Sequence, residues 1–343
     1  MKIIVDAMGG DGAPEAIVKG AADAAAEYGA EIVLTGSGEE ILRCLERLGY
    51  SDLPRGIEIA NATEVVLMDD DPSVVVRGKK DSSMAVGLRM LADGQGDAFV
   101  SAGSTGALLS GATLIVKRVR GIRRAALAPF VPDASGGFVL IDGGANVECT
   151  REYMLQFAFM GSYYAENVKG IKNPRVALLN NGSEETKGTE LLKGAFKALR
   201  SAGDSGAITF VGNVEAKDVF FGACDVLVCD GFSGNILLKS IEGMARFLLR
   251  ELKEVYTGGT VLKLSGQLVR KRLMELKARF DPDNIGGTAL LGISKPVIKA
   301  HGSSGDVAIR NAINQARITI QADIAGKLSK NIQFMGIGGD AEP

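Results

Sequence analysis

The sequence of 343 residues has no tryptophan, one histidine, nine prolines and four cysteines. The cysteines form no C-x-x-C pair and have no ligand spacing with the histidine, which argues against a zinc site or a disulfide framework. We therefore expect a reduced, cytoplasmic chain. We also expect the site to use no metal and no cofactor. The low proline content excludes a collagen-like chain, although the 45 glycines are about twice the usual share.

The sequence also lacks an excess of either charge. Its 39 basic and 41 acidic residues give a formal net charge of -2, which argues against a nucleic-acid partner. The N-terminal apolar run is short and is interrupted by Asp6, so we predict no signal peptide. The uncharged stretch 98–116 is long enough to span a bilayer, but its glycines and hydroxyl residues favour a buried strand, a turn and a buried helix.

One pattern recurs along the chain: a short apolar run, a cluster of Gly, Ser and Asp, and then a helical repeat. Apolar strands that alternate with helices predict an α/β fold with a parallel-rich sheet covered on both faces. We predict an α/β catalytic body formed by 1–240 with 282–343, and leave open whether it contains two interleaved subdomains. The segment 241–281 is predicted to be a protruding amphipathic helical hairpin.

The glycine clusters fall where α/β folds bind ligands, at the carboxyl ends of strands. No dinucleotide fingerprint or P-loop is present, so a nucleotide is not required. The cluster after the strand near Val100 opens a helix, and its hydroxyls and backbone N–H groups are suited to a phosphate. The alternative is an ordinary capped turn. The candidate phosphate-binding residues are Ser101, Ser104, Thr105 and Gly106.

The single histidine limits the available mechanisms. A Ser-His-Asp arrangement would have to use His301, and no G-x-S-x-G elbow supplies the nucleophile. Further polar clusters follow apolar runs and predict a shared cleft, with Asp6, Asn146 and Asp230 as lining residues. Lys187 is predicted at the start of a helix, where a cation is unfavourable for the dipole, so we expect it to serve another purpose. For each residue alone, turn chemistry or a solvated charge is the alternative.

The hairpin has its own charge balance. From Arg246 to Arg279 it contains nine basic and three acidic residues, 9 - 3 = +6, which leaves -2 - 6 = -8 for the rest of the chain. Periodicity alone favours a packing or dimer hairpin with solvated charges. The other interpretation is a basic surface for an acidic protein or an anionic lipid. Its predicted apolar tip consists of Val255, Tyr256, Val261, Leu262 and Leu264.

Together these motifs resemble the PlsX family, the bacterial phosphate acyltransferases of phospholipid synthesis. The resemblance runs from about residue 1 to 328, and its motifs are DAMGGD (6–11), SAGSTGAL (101–108), DGGAN (142–146), LLNNGSEETKG (178–188), GNVEAKD (212–218), CDGFSGNILLK (229–239) and KAHGSS (299–304). It implies transfer of a long-chain fatty acyl group from acyl carrier protein to inorganic phosphate. It also implies a fold similar to phosphotransacetylases and to isocitrate and isopropylmalate dehydrogenases.

The resemblance implies roles for individual residues. The expected catalytic residues are Lys187, Asn235 and His301. Lys187 is expected to neutralise phosphate or the developing oxyanion, and Asn235 to donate a hydrogen bond to that oxyanion. His301 is expected to orient phosphate or to assist proton transfer. The family further implies a homodimer that is cytoplasmic and associates peripherally with the membrane.

Three other functions remain open. A phosphotransacetylase acting on acetyl coenzyme A shares the fold and the phosphate chemistry but does not need a basic hairpin. A nicotinamide-dependent decarboxylating dehydrogenase would need an aspartate cluster for Mg²⁺, and the only acidic run, 69–71, precedes a proline and is expected on the surface. The last is a non-catalytic phosphate- or lipid-binding protein.

Overall fold

The computed structural model describes residues 1–257, 260–280 and 286–336, without the side chains of residues 257, 260–265 and 268. The strands are β1 (Lys2–Asp6), β2 (Glu31–Gly36), β3 (Ile57–Asn61), β4 (Ala98–Ser101), β5 (Ala126–Ala128), β6 (Phe130–Val131), β7 (Phe138–Ile141), β8 (Arg175–Asn180), β9 (Thr209–Glu215), β10 (Val226–Val228), β11 (Thr288–Leu291) and β12 (Val297–Lys299). The helices are α1 (Glu15–Tyr28), α2 (Gly38–Arg47), α3 (Val74–Arg77), α4 (Ser83–Ala92), α5 (Thr105–Gly111), α6 (Arg151–Asn167), α7 (Glu190–Asp204), α8 (Gly231–Thr257), α9 (Thr260–Phe280), α10 (Asp306–Ala322) and α11 (Ile324–Lys330).

The strands form two sheets. The first has the order β3-β2-β1-β4-β12-β11-β5 and the second has the order β6-β7-β10-β8-β9. Pairing is parallel except where β11 meets β12 and β5 and where β6 meets β7. The predicted α/β class with mostly parallel sheets is confirmed.

The chain passes from one sheet to the other at Pro129. Before it, β5 pairs with β11 of the first sheet, and after it, β6 pairs with β7 of the second. Leu127 joins the sheets further, because its carbonyl accepts from Gly143 N at 2.8 Å. Proline has no N–H to donate, so it fits the point where the chain leaves one ladder for the next.

The inner strands of each sheet are buried on both faces, as expected for parallel strands covered by helices. Along β1, Ile3 and Val5 face a core shared with α1 and with the helix α6, whereas Ile4 faces a second core that contains Leu88 of α4. In the second sheet Leu140 and Leu227 belong to a third core, against which α8 packs through Leu237 and Leu238. The first core therefore lies between the sheets.

The uncharged stretch 98–116 folds as predicted. It forms the fully buried strand β4, a turn, the helix α5 and a π-helical turn at Ala112–Val116. Within the described ranges, no helix combines the length and apolar character needed to cross a bilayer.

The helical hairpin is formed by α8 and α9, which pack against each other. Helix α8 has 27 residues, which corresponds to about 40 Å at the usual rise. It begins at Gly231 rather than near 241, because the cluster predicted as a turn after β10 is already its first turn. The hairpin therefore starts directly at the carboxyl end of a central strand.

Candidate active site

Three neighbouring strands of the first sheet end together at one edge. Asp6 ends β1, Ser101 ends β4 and Lys299 ends β12, and Lys299 is paired in register with Ser101. Ser101 is buried, and its hydroxyl donates to Asp6 Oδ2 at 2.7 Å and accepts from Gly103 N at 3.0 Å. Burial raises the pKa of Asp6, while hydrogen bonds from Ser83 and Ser101 lower it.

Lys299 extends from this edge with its ammonium group among backbone oxygens. Nζ donates to the carbonyl oxygen of Ala102 at 3.3 Å and to that of Ala300. Burial lowers the pKa of Lys299 to about 8, and the nearby Asp6 carboxylate opposes the shift. An ammonium group held by neutral carbonyls keeps its charge available for an anion.

The second sheet contributes a loop organised by Asp142. This carboxylate is fully buried and accepts from the backbone N–H groups of Leu127, Gly144, Ala145 and Asn146 at 2.7–3.1 Å. The Asn146 amide donates to Asp142 Oδ2 and to Ala125 O, and its backbone carbonyl accepts from Gly231 N. Asn146 therefore fixes the loops after β7 and β10 to each other.

Asp230 positions the start of α8. It accepts from Ser233 N at 2.7 Å and from Ser233 Oγ at 2.9 Å, which is an N-cap arrangement. Glycines let this helix approach the neighbouring loop: a Cβ on Gly234 would lie 2.0 Å from Asp142 O. The close approach places Asn235 beside Gly144, where an added Cβ would lie 3.2 Å from Asn235 Cβ.

The carboxyl edges of the two sheets line one cleft of about 380 Å³. Its polar residues are Thr105, Asn235, Lys239, Glu242, Thr288, Lys299, His301 and Ser304. Lys239 forms an ion pair with Glu242 at 2.8 Å, and its charge lowers the pKa of Lys299. The cleft thus combines cationic groups with hydroxyl, amide and imidazole donors, a set suited to an anionic substrate.

His301 has a defined hydrogen-bond pattern. Its Nδ1 lies 2.8 Å from Ser303 Oγ and 3.3 Å from Ser303 N. Because a backbone N–H can only donate, Nδ1 is the acceptor, and in the neutral ring the proton lies on Nε2. His301 is exposed and lines the cleft, so Nε2–H is the ring's remaining donor.

The predicted site residues divide into lining and supporting groups. Those lining the cleft are Thr105, Asn235 and His301. Those with supporting contacts are Ser101, Ser104, Asp6, Asn146 and Asp230. Ser104 is buried as the N-cap of α5, where its hydroxyl accepts from Ala107 N at 3.5 Å, and Gly106 packs against Pro72.

Lys187 is not at the start of a helix, so the dipole reasoning applied to it was wrong. Thr189 caps α7, which begins at Glu190, and Lys187 belongs to the preceding loop. Its side chain is 48% exposed and its Nζ is 3.9 Å from Glu184. This loop follows β8, which is adjacent to β10, but the Lys187 side chain does not line the cleft.

Sequence reasoning gave no role to Lys239 or Lys299. Both belong to motifs that carry the family resemblance, and Lys299 had a detectable signal: a lysine that ends a short apolar run in a parallel sheet lies where ligands bind.

Of the predicted hairpin tip, Val255 is 57% exposed and Tyr256 is partly buried. The side chains of Val261, Leu262 and Leu264 lie outside the described residues.

Comparison with known proteins gives consistent results. A profile of the family described as "Fatty acid synthesis protein" matches residues 1–327. A phosphate acyltransferase of Thermoanaerobacter pseudethanolicus is 45% identical over 337 residues, covering 98% of each chain. One of Lactococcus lactis subsp. lactis is 44% identical over 338 residues, covering 98% of this chain and 99% of the relative. A phosphotransacetylase structure from Streptococcus pyogenes has a TM-score of 0.62 at 20% identity, covering 94% of both chains.

The fold is therefore of the phosphotransacetylase class, with the candidate site in the cleft between two α/β sheets. Within that class, the chain belongs to the fatty acid synthesis protein family, together with the phosphate acyltransferases, and is an acyltransferase. The predicted membership of the PlsX family is confirmed.

Proposed function

We propose that this chain transfers a long-chain fatty acyl group from acyl carrier protein to inorganic phosphate and releases acyl phosphate. The observation that carries the proposal is the cleft in which Lys299, His301, Thr105 and Asn235 converge. Family membership supports acyl transfer to phosphate over the dehydrogenase alternative, and the relatives are named phosphate acyltransferases.

The chemistry needs positioning more than proton relay. A phosphate oxygen forms a bond to the thioester carbonyl carbon, the C–S bond breaks, and the departing thiolate takes up a proton. Thiol pKa values of about 8.5 make that thiolate a good leaving group. The protein must align the reactants, offset repulsion between anions and donate to the tetrahedral oxyanion.

The cleft residues supply these requirements in our proposal. Lys299 and the Thr105 hydroxyl bind phosphate, His301 donates to it through Nε2–H, and Asn235 donates to the oxyanion. Ser101, Ser104 and Gly106 shape the phosphate-binding turn. Asp6 supports Lys299, while Asn146 and Asp230 fix the loop and helix that carry Asn235.

Lys187 is proposed to contribute a further cation from the loop after β8. Its half-exposed side chain and its distant Glu184 partner leave it free to turn toward a bound anion. Lys187→Ala should reduce turnover about tenfold or more, as expected for the loss of a charge-assisted contact. Lys217→Ala, a matched surface variant paired with Glu215, should retain normal turnover. Equal rates in both variants would remove Lys187 from the site.

The partners follow from the hairpin. An open apolar groove between α8 and α9 is flanked by the basic residues Arg250, Lys253, Arg270 and Lys277. This arrangement supports binding of an acidic carrier protein or an anionic membrane surface.

We propose a cytoplasmic protein that associates peripherally with the membrane through the hairpin tip. Val255→Glu should then reduce sedimentation with phosphatidylglycerol vesicles, and unchanged sedimentation would contradict this membrane contact.

A homodimer is proposed from exposed apolar side chains on the same hairpin. Phe247, Leu248 and Met274 are 47%, 51% and 59% exposed, which is unusual for an unpartnered surface. Phe247→Glu should convert a dimeric mass to a monomeric mass in analytical ultracentrifugation. A wild-type protein that is already monomeric would contradict the proposal.

The reaction itself is tested with competing substrates. Purified protein is incubated with phosphate and either palmitoyl-acyl carrier protein or acetyl coenzyme A, and acyl phosphate is trapped with hydroxylamine. We expect hydroxamate from the palmitoyl donor only. Hydroxamate from acetyl coenzyme A alone would instead identify a phosphotransacetylase.

A further inference from the structure

One part of the cleft differs from the phosphate-binding part in its chemistry. Its wall is apolar and is assembled from the crossing between the sheets (Pro129, Val131), from α8 (Leu238, Ile241, Ala245) and from the end of α9 (Phe280). Such a wall does not bind phosphate, and it is contiguous with the polar residues in a single cavity.

Helix α8 gives this apolar part a direction. Asn235 is in the second turn of the helix, and the apolar lining residues Leu238, Ile241 and Ala245 follow at helical spacing on the same face. Lys239 and Glu242, which form an ion pair with each other, also line the cleft along this helix. At the usual rise of about 1.5 Å per residue, Ala245 lies about 15 Å beyond Asn235 along the axis. The cleft therefore extends away from the reacting end as a groove along α8, and Ala245 is its last lining residue on that helix.

The opposite side of the groove is fixed to the body. Arg279 donates from Nη2 to Asp133 O at 2.6 Å, and Asp133 is buried. This contact anchors the end of α9 and places the adjacent Phe280 against the groove. The base of the hairpin therefore forms one wall of the cleft.

We propose that this groove binds the fatty acyl chain of the donor, and that Ala245 and Phe280 set the chain length it accepts. The inference rests on the proposed function, since it assumes an acyl thioester at Asn235. An unbranched acyl chain matches an elongated apolar groove because each methylene removed from water favours binding. The small Ala245 side chain leaves the space that a long chain needs.

The test is the variant Ala245→Phe assayed with butyryl- and palmitoyl-acyl carrier protein. We expect kcat/KM for the palmitoyl donor to fall about tenfold or more, as filling a substrate pocket does. Turnover of the butyryl donor and the KM for phosphate should stay at wild-type values, which also shows that the variant folds. Met244→Phe is the matched control, because Met244 is the preceding residue but is 57% exposed and outside the groove. The Met244→Phe variant should leave kcat/KM for both donors unchanged.

A second variant tests the opposite direction. Phe280→Ala enlarges the groove and should raise the rate with stearoyl-acyl carrier protein relative to the palmitoyl donor. An equal loss of activity with both donors in Ala245→Phe would contradict the proposal that the groove binds the acyl chain. An unchanged chain-length profile in both variants would contradict it as well. If wild-type protein forms acyl phosphate from neither donor, the proposed function itself fails, which is a distinguishable result.

Discussion

Lys299 on β12 is paired in register with Ser101 on β4, and the Ser101 hydroxyl donates to the buried Asp6 carboxylate of β1 at 2.7 Å. This relationship connects a cation that lines the cleft to the interior of the first sheet. It places an ammonium group at the carboxyl edge of the sheet, in the cleft that His301 and Thr105 also line.

Removal of the Lys299 charge should weaken phosphate binding. In Lys299→Met we expect the KM for phosphate to rise about 10- to 100-fold, since a hydrogen bond to a charged group contributes about 1.5–3 kcal/mol. Steady-state kinetics with phosphate as the varied substrate measures the change. The control is Lys295→Met, which should behave as wild type. Lys295 lies in the turn before β12, and its Nζ donates to Gly96 O. An unchanged phosphate KM in Lys299→Met would exclude Lys299 from phosphate binding.

The pKa of Lys299 also predicts a pH dependence. Burial lowers this pKa to about 8, so the side chain is protonated below that pH and loses its charge above it. The KM for phosphate should start to rise near pH 8 and, well above that pH, should approach a rise of about tenfold per pH unit, since only the charged form binds the anion. In Lys299→Arg the guanidinium stays charged throughout, so the rise should disappear. An identical rise in the arginine variant would assign it to another group.

Asn235 should act mainly on turnover. Loss of one oxyanion donor costs about 2.7–4 kcal/mol of transition-state stabilisation, so Asn235→Ala should lower kcat about 10²- to 10³-fold with little effect on the melting temperature. The neighbouring Ile236, 50% exposed on α8, provides the control Ile236→Ala, which should retain normal kcat. A near-normal kcat in Asn235→Ala would refute the assignment.

Gly234 should be intolerant of a side chain. A Cβ there would lie 2.0 Å from the carbonyl oxygen of Asp142 and 2.7 Å from Cys229 Sγ, so Gly234→Ala should cost about 1–3 kcal/mol of stability and displace Asn235. Gly243 is on the same helix with no atom within 4 Å of its Cβ position, and Gly243→Ala should stabilise by about 0.5–1 kcal/mol. Thermal unfolding of both variants tests this, and the same shift in both would contradict the packing argument.

Much of the fold could be predicted because parallel strands buried on both faces form uninterrupted apolar runs. The runs at Ile3–Val5, Val176–Leu179 and Val226–Val228 all became strands. The crossing between the sheets was missed, since β5 and β6 have three and two residues and depend on partners distant in sequence. The start of α8 was missed because its glycine-rich first turn has the composition of a loop.

Asn235 and His301 were selected from polar clusters that follow apolar runs, and both line the cleft, while their roles in the reaction stay predictions. Lys299 ends its own apolar run and was overlooked despite that signal, whereas its contact with Ala102, 197 residues away in the chain, could not be read from the sequence. For Lys187 the error was a helix boundary, and its place in the reaction stays a prediction. The groove along α8 requires three segments that only the tertiary structure brings together.

The central claim is that phosphate is the acyl acceptor in this cleft. The most direct measurement incubates the protein with palmitoyl-acyl carrier protein and ³²P-labelled phosphate, and follows free carrier thiol and labelled palmitoyl phosphate together. Our account predicts that thiol and labelled product form in equal amounts and that both depend on phosphate. Release of thiol without phosphate, or without labelled product, would contradict it.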